Sequence, residues 1–243
     1  MHSVTLYHWE PNANSGKPML ALMEKGVAFD SHYLDLLSFD QHKPEYLAVN
    51  PQGTIPAMVH GERVLTESTA IMEYVDEVFP GPPLVPEKPR DRWRVRWWMK
   101  LMDQWLGPSF SMIGWQVFVG PAVRDKDPKE LQAAIERIPL LERRVAWRKA
   151  ISGQFGAEEL GKHPWLASSQ YSLADINGFN LAYGLPVVWP ELSNDELTPN
   201  ILRWLRTIYA RPATKACWAM GRTSMAKRVA VLEQRQAARG QPA

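Results

Sequence analysis

The chain of 243 residues has one cysteine, almost no excess of charge and no long apolar run. A lone cysteine, Cys217, excludes an internal disulfide framework and a multi-cysteine metal site, and it favours a reducing compartment such as the cytoplasm. Lysine plus arginine number 28 and aspartate plus glutamate 26, so the net charge of +2 does not suggest a nucleic-acid partner. No apolar run approaches the ~20 residues of a membrane span. The N-terminus also lacks the charged leader and apolar core of a secretory signal.

Tryptophan and proline are abundant instead, with 11 and 20 residues. Many indole rings can line a large apolar pocket, because each offers a wide, stiff and flat surface. For most of these tryptophans, packing in an ordinary core is the commoner role. The hydrophobic fraction of 45% and the charged fraction of 22% are typical of a globular protein.

Up to about residue 80, short apolar runs alternate with amphipathic segments. The pattern predicts a strand, a helix and a strand, and then a two-stranded hairpin and a helix beginning near Ser68. Pro18 fits a first helical turn, so we expect the first helix to begin there and to end at Gly26. On the helix after the hairpin the expected buried stripe is Ile71, Val75, Val78 and Phe79. The strands are expected over 4–9, 29–34, 55–59 and 63–66.

A proline-rich stretch over 81–90 predicts a stiff linker between two domains, 1–80 and 91–243. Everything after the linker reads as helical, with no internal repeat. The basic, weakly apolar tail from Arg222 is interpreted as a solvated or frayed helix. Helices are expected over 92–105, 130–138, 140–151 and 201–209.

Ser172 and Asp175 have the spacing of a helix capping box, with Tyr171 and Ile176 in the flanking staple positions. We interpret this motif as structural, because a cap satisfies the free N–H groups at a helix start and needs no ligand.

Four segments together resemble the cytosolic glutathione S-transferases across nearly the whole chain. They are the first strand with its loop (6–15), the turn at 50–57, the segment 66–71 and the capping box at 171–176. The resemblance implies an α/β plus all-α fold: a thioredoxin-like, glutathione-binding N-terminal domain followed by an all-helical domain that forms the hydrophobic substrate site. It also implies a dimer.

The resemblance further implies where glutathione binds. In the family the proline matching Pro56 is cis, which lets the backbone of the residue matching Ile55 pair with the cysteinyl amide of glutathione. An ordinary trans proline at a strand start is the alternative. Glu67 and Ser68 match the turn that takes the γ-glutamyl end, where helix N–H groups favour a carboxylate; Ser68 could also be a plain helix cap.

Three further candidates complete the expected glutathione site. Gln41 and His42 lie where relatives contact the glycine end of glutathione, although both could be ordinary polar loop residues. Gln52, in the turn at 50–57, belongs to the same expected set.

The loop 11–18 resembles that of bacterial beta-type enzymes, but Asn14 stands where those enzymes have their cysteine. Tyr7 lies on the strand, too early for a catalytic tyrosine. The remaining donors to the glutathione sulfur are Asn14, expected to be the principal one, and Ser15, expected to be secondary. The alternative is that Asn14 shapes the loop and Ser15 activates the thiol.

The same loop looks most like that of the glutathione-dependent β-etherases of lignin-degrading bacteria. The implied reaction is attack of the glutathione thiolate on the β-carbon of an α-keto β-aryl ether, which releases a phenol. Some etherases of this type are heterodimers of related subunits, and the resemblance allows this chain to be the active member of such a pair or a homodimer. The chain is shorter than these relatives between 151 and 165, so the wall of the pocket in the second domain or the dimer surface is expected to differ. Two alternative functions are an isomerase- or dehalogenase-like glutathione transferase and a non-catalytic interaction module. Expected walls of the substrate pocket are Trp9, Phe110, Ile113, Trp115, Tyr183 and Trp189.

Overall fold

The computed structural model describes residues 3–106, 159–188, 193–227, 229 and 232. Its sheet has four strands in the order β2-β1-β3-β4. β2 runs parallel to β1, β3 runs antiparallel to β1, and β4 runs antiparallel to β3. The strands are β1 (Val4–His8), β2 (Asp30–Tyr33), β3 (Ala57–His60) and β4 (Arg63–Leu65). All four expected strands are confirmed, with small shifts at their ends.

Three helices accompany the sheet: α1 (Ala13–Glu24), α2 (Pro44–Leu47) and α3 (Ser68–Val78). Two 3₁₀ turns, Leu36–Ser38 and Asp40–His42, precede α2. α2 and the 3₁₀ turns were not predicted, because segments this short have no complete hydrophobic period.

The first helix begins earlier than expected, at Ala13, so that Pro18 lies inside it. A proline at this position removes only the bond to the carbonyl of Asn14, and the side chains from Met19 to Leu22 are all buried, so core packing stabilises the next turns. The expected end is confirmed. Gly26 has a φ of 68°, and its N–H donates to the Met23 carbonyl at 3.1 Å, as in a glycine-terminated helix.

On α3, Ile71, Val75 and Phe79 are buried as expected, but Val78 is exposed. The expected linker 81–90 is anchored at one residue, although most of its residues are exposed. Leu84 is buried; its N–H donates to Asp76 Oδ1 at 2.8 Å, and its carbonyl accepts the N–H of Leu173 at 2.9 Å. The domain bounds 1–80 and 91–243 stay predictions.

The elements that follow α3 in the described part of the chain are all helices, joined by turns and irregular segments. Two expected helices are confirmed. One is α4 (Pro89–Leu101), which starts three residues early and continues into a π-helical turn at Met102–Leu106, and the other is α7 (Pro199–Tyr209). The expected helices over 130–138 and 140–151 lie outside the described residues. In the described ranges, no helix is both long and apolar enough to cross a membrane. The helices are α4 (Pro89–Leu101), α5 (Leu173–Ala182), α6 (Leu185–Val188), α7 (Pro199–Tyr209), α8 (Pro212–Ala219) and α9 (Ser224–Lys227).

α5 is buried along its whole length and begins at the expected capping box. The buried Asp175 carboxylate accepts the N–H of Ser172 at 3.0 Å, the N–H of Leu166 at 2.9 Å and the indole N–H of Trp204 at 2.9 Å. Burial raises the pKa of Asp175 to about 6, although these hydrogen bonds oppose the shift. The cap therefore ties α5 to α7 and to the segment before it, which confirms a structural role.

An ion pair joins the two parts of the chain at the far end of α1. Glu24 accepts two hydrogen bonds from Arg211, at 2.6 and 2.7 Å. The Arg211 guanidinium also lies 3.9 Å from the centre of the Tyr171 ring. A paired, planar contact of this kind fixes the orientation of the two side chains as well as the distance between them.

The expectation for the tail is wrong in the part that the structure describes. Ala226, Val229 and Leu232 are buried, and the backbone of Arg222 is bonded to the N-terminal part of the chain. These three apolar positions recur every three residues, which is the spacing of one helical face, so the overall composition of the tail was a poor guide to its burial.

Candidate functional site at the sheet edge

Three turns meet at one edge of the sheet. β1 and β3 are antiparallel with Tyr7 opposite Ala57, so the end of β1 lies beside the start of β3. β3 and β4 are antiparallel with Met58 opposite Leu65, so the end of β4 reaches the same edge. The segments that follow or precede these strand ends contain the predicted glutathione and catalytic residues 14–15, 55–56 and 67–68. The topology therefore gathers segments that are far apart in the chain.

The loop from β1 to α1 holds Ser15 by its oxygen. Ser15 is 5% exposed, and its Oγ accepts the backbone N–H of Trp9 at 3.0 Å. Within the described ranges nothing accepts the hydroxyl hydrogen of Ser15. The hydroxyl is thus fixed as an acceptor and remains available as a donor, which is what stabilising an anion at this edge requires.

Asn14 lies beside it in the first turn of α1, and its side chain is exposed. Its amide NH₂ has no hydrogen-bond partner among the residues that the structure covers. The first turn of a helix presents free N–H groups and the positive end of the dipole, so an anion is favoured here.

Gly16 is required by a close approach between α1 and α5. A Cβ added at this residue would lie 2.1 Å from Asn180 Oδ1 and 2.6 Å from the carbonyl oxygen of Pro11. No larger residue fits without moving one of the two helices or the loop. The position of Ser15 is therefore set partly by the helical domain.

The Ile55–Pro56 peptide bond is cis, as the resemblance implies. Pro56 is buried and Ile55 is half-buried. Ile55 precedes the first paired residue of β3, Ala57, so its backbone lies outside the β1–β3 ladder.

Glu67 has a backbone conformation that non-glycine residues rarely adopt. Its φ is 67° and its ψ is 104°, and it immediately precedes the first residue of α3, Ser68. Such a conformation costs on the order of 1–3 kcal/mol and is concentrated at functional sites. The Glu67 side chain is exposed and Ser68 is buried at the helix start, so a carboxylate and free helix N–H groups lie side by side.

Gln41 is buried, with 7% of its surface exposed, although it lies in a 3₁₀ turn. Its amide oxygen has no hydrogen-bond partner in the described part of the chain, which is unusual for a buried polar atom. His42 is exposed and lies against the next predicted turn, since a Cβ on Gly53 would be 2.9 Å from His42 Nδ1. Gln52 is exposed in that turn.

An ion pair behind the site, between a buried lysine and a partly exposed carboxylate, was not predicted. Lys17 of α1, 2% exposed, lies 2.6 Å from Asp103 Oδ1 in the π-helical turn. Asp103 Oδ2 accepts the hydroxyl of Thr69 at 2.7 Å. Burial lowers the pKa of Lys17, and the negative charges of Asp103 and Glu67 oppose that shift. The starts of α1 and α3 are thus fastened to one carboxylate of the helical domain. A lysine beside Pro18 gave no sequence signal that it would be buried.

Of the six expected pocket walls, the structure describes two. Tyr183 is buried; its hydroxyl oxygen accepts the side-chain N–H of Asn12 at 3.1 Å, and its ring lies 5.4 Å from that of Trp218. Trp9 is half-buried, and its indole N–H has no partner within the described ranges. Both residues adjoin the loop that carries Ser15. The other four lie outside the described residues: Phe110, Ile113, Trp115 and Trp189.

Histidine, cysteine, aspartate and glutamate side chains form no group of three or more suited to a metal ion in the described part of the chain. Cys217 is buried, and burial raises the pKa of its thiol.

The sequence matches two domain profiles of one family. The N-terminal domain of glutathione S-transferases matches residues 2–77, and the C-terminal domain matches residues 106–212. With the fold described above and the relatives described next, these matches show that the chain belongs to the glutathione S-transferase family.

Among curated proteins, protein LigF of Sphingobium sp. strain SYK-6 is 35% identical over 236 residues, which cover 88% of this chain and 92% of LigF. The crystal structure of beta-etherase LigF from the same strain matches with a TM-score of 0.75 at 33% identity, covering 89% of this chain and 99% of that one. Glutathione transferase F7 of Populus trichocarpa matches with a TM-score of 0.72 at 27% identity, covering 88% and 97%.

Proposed function

We propose that the protein is a glutathione transferase that cleaves β-aryl ether bonds of lignin-derived α-keto aromatic compounds. The observation that carries the proposal is the likeness to beta-etherase LigF over nearly the full length of both chains. The loop with Asn14 and Ser15 supports it, because it provides two neutral donors and no cysteine for a mixed disulfide.

Glutathione is proposed to lie along the sheet edge. Its γ-glutamyl end is assigned to the turn at Glu67 and Ser68, where the backbone conformation and the helix start favour an amino-acid group. Its cysteinyl amide is assigned to the backbone of Ile55, beside the cis bond to Pro56. The glycine end is assigned to Gln41, whose buried amide oxygen lacks a partner, with His42 and Gln52.

Activation of the thiol is the task of the β1–α1 loop. A thiol with a pKa near 8.5 is only ~3% thiolate at pH 7, and the thiolate is the nucleophile. Lowering that pKa by about two units requires ~2.7 kcal/mol of preferential stabilisation of the anion. Asn14 is proposed as the principal donor, since its amide is unengaged and only donates at nitrogen, and Ser15 as the second donor, already oriented by Trp9.

In the reaction, the sulfur of the thiolate forms a bond to the β-carbon as the bond from that carbon to the ether oxygen breaks. The electron pair leaves on the aryloxide, which takes a proton from water. The products are a glutathione thioether and a phenol. Trp9 and Tyr183 beside the loop offer flat apolar surface suited to an aromatic ring.

Assembly as a dimer, with itself or with a related subunit, is part of the proposal, as is a cytoplasmic location. Trp93 on α4 is 62% exposed and stacks on Trp97. Arg96, one turn further along α4, pairs with Glu73 of α3 at 3.0 Å, so the two helices adjoin there. An exposed indole beside charged residues is typical of an interface. Light scattering should give about twice the monomer mass of 27.7 kDa, and a mass near that of one chain would contradict the homodimer.

The deciding experiment offers the purified protein glutathione and a fluorogenic β-aryl ether ketone. Release of the fluorescent phenol, with one glutathione thioether formed for each phenol, is the expected result. Retention on a glutathione column without ether cleavage would favour an isomerase- or dehalogenase-like transferase. Failure to bind glutathione would favour a non-catalytic module.

A further inference from the structure

Glu10 is a fully buried carboxylate in the loop between β1 and α1. Its Oε1 accepts the hydroxyl of Tyr33 at 2.8 Å. Its two oxygens accept the backbone N–H of Arg222 at 3.1 and 3.0 Å, and Oε2 accepts the N–H of Thr223 at 3.1 Å. A buried carboxylate is tolerated only where such bonds replace its water, so these donors account for its place in the interior.

The donors come from two distant parts of the chain. Tyr33 is the last residue of β2, whereas Arg222 and Thr223 lie between α8 and α9. The two parts also touch directly, since the Arg222 guanidinium lies 3.9 Å from the centre of the Tyr33 ring. A Cβ on the preceding Gly221 would lie 3.3 Å from Glu10 Oε2, so the backbone of the C-terminal segment, residues 222–227, lies directly against the carboxylate.

Glu10 is also part of the turn that sets Ser15. The residue before it, Trp9, donates its N–H to Ser15 Oγ at 3.0 Å. The carbonyl of Glu10 itself accepts the N–H of Asn12 at 2.7 Å. A displacement of Glu10 therefore shifts both the donor that orients Ser15 and the start of α1.

We propose that Glu10 is a positioning residue, which fastens the C-terminal segment to the β1–α1 loop so that Ser15 reaches its working position only when that segment is docked. The inference rests on the proposed function, because it takes the Ser15 hydroxyl to act on the glutathione sulfur. Glu10 contacts neither the sulfur nor the ether substrate in this scheme and acts only through the loop.

The experiment compares Glu10→Ala, Glu10→Gln and Tyr33→Phe with Glu62→Gln, which removes an exposed carboxylate in the turn between β3 and β4. Hydrogen exchange is measured at the amides of residues 222–223 and of the loop 9–16. The thiolate of bound glutathione is followed by its ultraviolet absorbance across pH.

In Glu10→Ala the amides of Arg222 and Thr223 should exchange at least tenfold faster, because hydrogen bonds to a charged group are among the stronger ones in proteins. The loop amides should also exchange faster, and the pKa of the bound thiol should rise by about one unit. From the pKa of roughly 6.5 proposed above, that rise lowers the thiolate fraction at pH 7 about threefold. Loss of a nearby negative charge alone would lower that pKa, so the sign separates positioning from electrostatics.

Glu10→Gln keeps one acceptor oxygen and should give a smaller change of the same sign. Tyr33→Phe should leave intact the hydrogen bonds from the Arg222 and Thr223 N–H groups to Glu10. Glu62→Gln should match the wild type. If Glu10→Ala does not fold, Glu10→Gln decides the question by the same two readouts.

Unchanged exchange at Arg222 and Thr223 would overturn the proposal, as would faster exchange there with an unchanged loop and an unchanged thiol titration. If the wild type itself binds no glutathione, the proposed function fails. Exchange in the loop 9–16 still decides whether Glu10 couples that loop to the C-terminal segment.

Discussion

Replacing Asp175 by alanine removes the buried carboxylate of the capping box at the start of α5. In the wild type this carboxylate accepts hydrogen bonds from three N–H groups, those of Leu166, Ser172 and the Trp204 indole. All three donors belong to fully buried residues, so water cannot replace the lost acceptor. The variant therefore leaves three buried donors unsatisfied.

Each unsatisfied buried donor costs about 1–3 kcal/mol. At the lower value, three of them lower the free energy of unfolding by about 3 kcal/mol. In a domain of 150–250 residues, 1 kcal/mol corresponds to roughly 2–4 °C in the midpoint of thermal unfolding. We therefore expect Asp175→Ala to lower Tm by roughly 6–12 °C at pH 7.

The dependence on pH gives a second measurement on the same residue. The pKa of Asp175 is about 6 in the folded protein, against an ordinary value of 3.8, so between these values the folded state binds the proton more tightly than the unfolded state. This contribution to stability is fully present below about pH 4 and is lost as pH rises through 6. Its ceiling is about 3 kcal/mol, from a difference of roughly two pKa units.

Calorimetry from pH 4 to 7 tests both statements, with Asp30→Asn, an exposed carboxylate on β2, as the control. Asp175→Asn keeps one acceptor oxygen but turns an NH₂ group toward donors, and it cannot titrate. The stability lost in Asp175→Asn should therefore be larger at pH 4 than at pH 7. A Tm for Asp175→Ala within about 2 °C of the wild-type value would refute the reasoning. So would a loss of stability in Asp175→Asn that is the same at pH 4 and at pH 7.

Three further predictions concern the glutathione site. Glu67→Ala and Ser68→Ala should each weaken glutathione binding at least tenfold by calorimetry, since charge-assisted bonds of about 1.5–3 kcal/mol are lost; unchanged affinity in both would refute the assignment of this turn. Asn14→Ala should abolish most of the bound thiolate and Ser15→Ala a smaller part, measured by ultraviolet absorbance across pH; the reverse order would show that Ser15 is the principal donor. Gly16→Ala should lower the free energy of unfolding by about 1–3 kcal/mol because its Cβ has no room, and a stable variant with full activity would contradict the close approach of α1 and α5.

The alternation of strands and helices was predictable because apolar spacing and turn residues determine it locally. Ser68 at a helix start and Gly26 at a helix end are such signals, and both are confirmed. Pro18 misplaced the start of α1, since tertiary packing outweighs one lost hydrogen bond in the helix. The buried positions 226, 229 and 232 were missed because the tail was judged by its overall composition and not by the spacing of its apolar residues.

At the candidate site, the turns that bear Ser15, Pro56 and Glu67 were predictable because each has a recognisable local sequence. The contacts that join these turns to the rest of the protein were not predictable. The pairs of Lys17 with Asp103 and of Glu10 with Arg222 connect residues distant in the chain, and no local pattern marks a buried charge whose partner lies elsewhere. The choice between Asn14 and Ser15 likewise depends on where the sulfur sits, which a loop sequence does not specify.

The bond between Glu10 and Arg222 spans 212 positions of the chain, and this separation affects the order in which the protein matures during synthesis. Domains generally fold as they emerge from the ribosome, N-terminal first. Here the N-terminal domain leaves the ribosome with Glu10, Lys17 and Glu24 still lacking Arg222, Asp103 and Arg211. Its first loop can therefore be completed only after Arg222 has left the ribosome, so a stop codon a few residues before Arg222 would leave the Glu10 carboxylate without its backbone donors in the N-terminal domain.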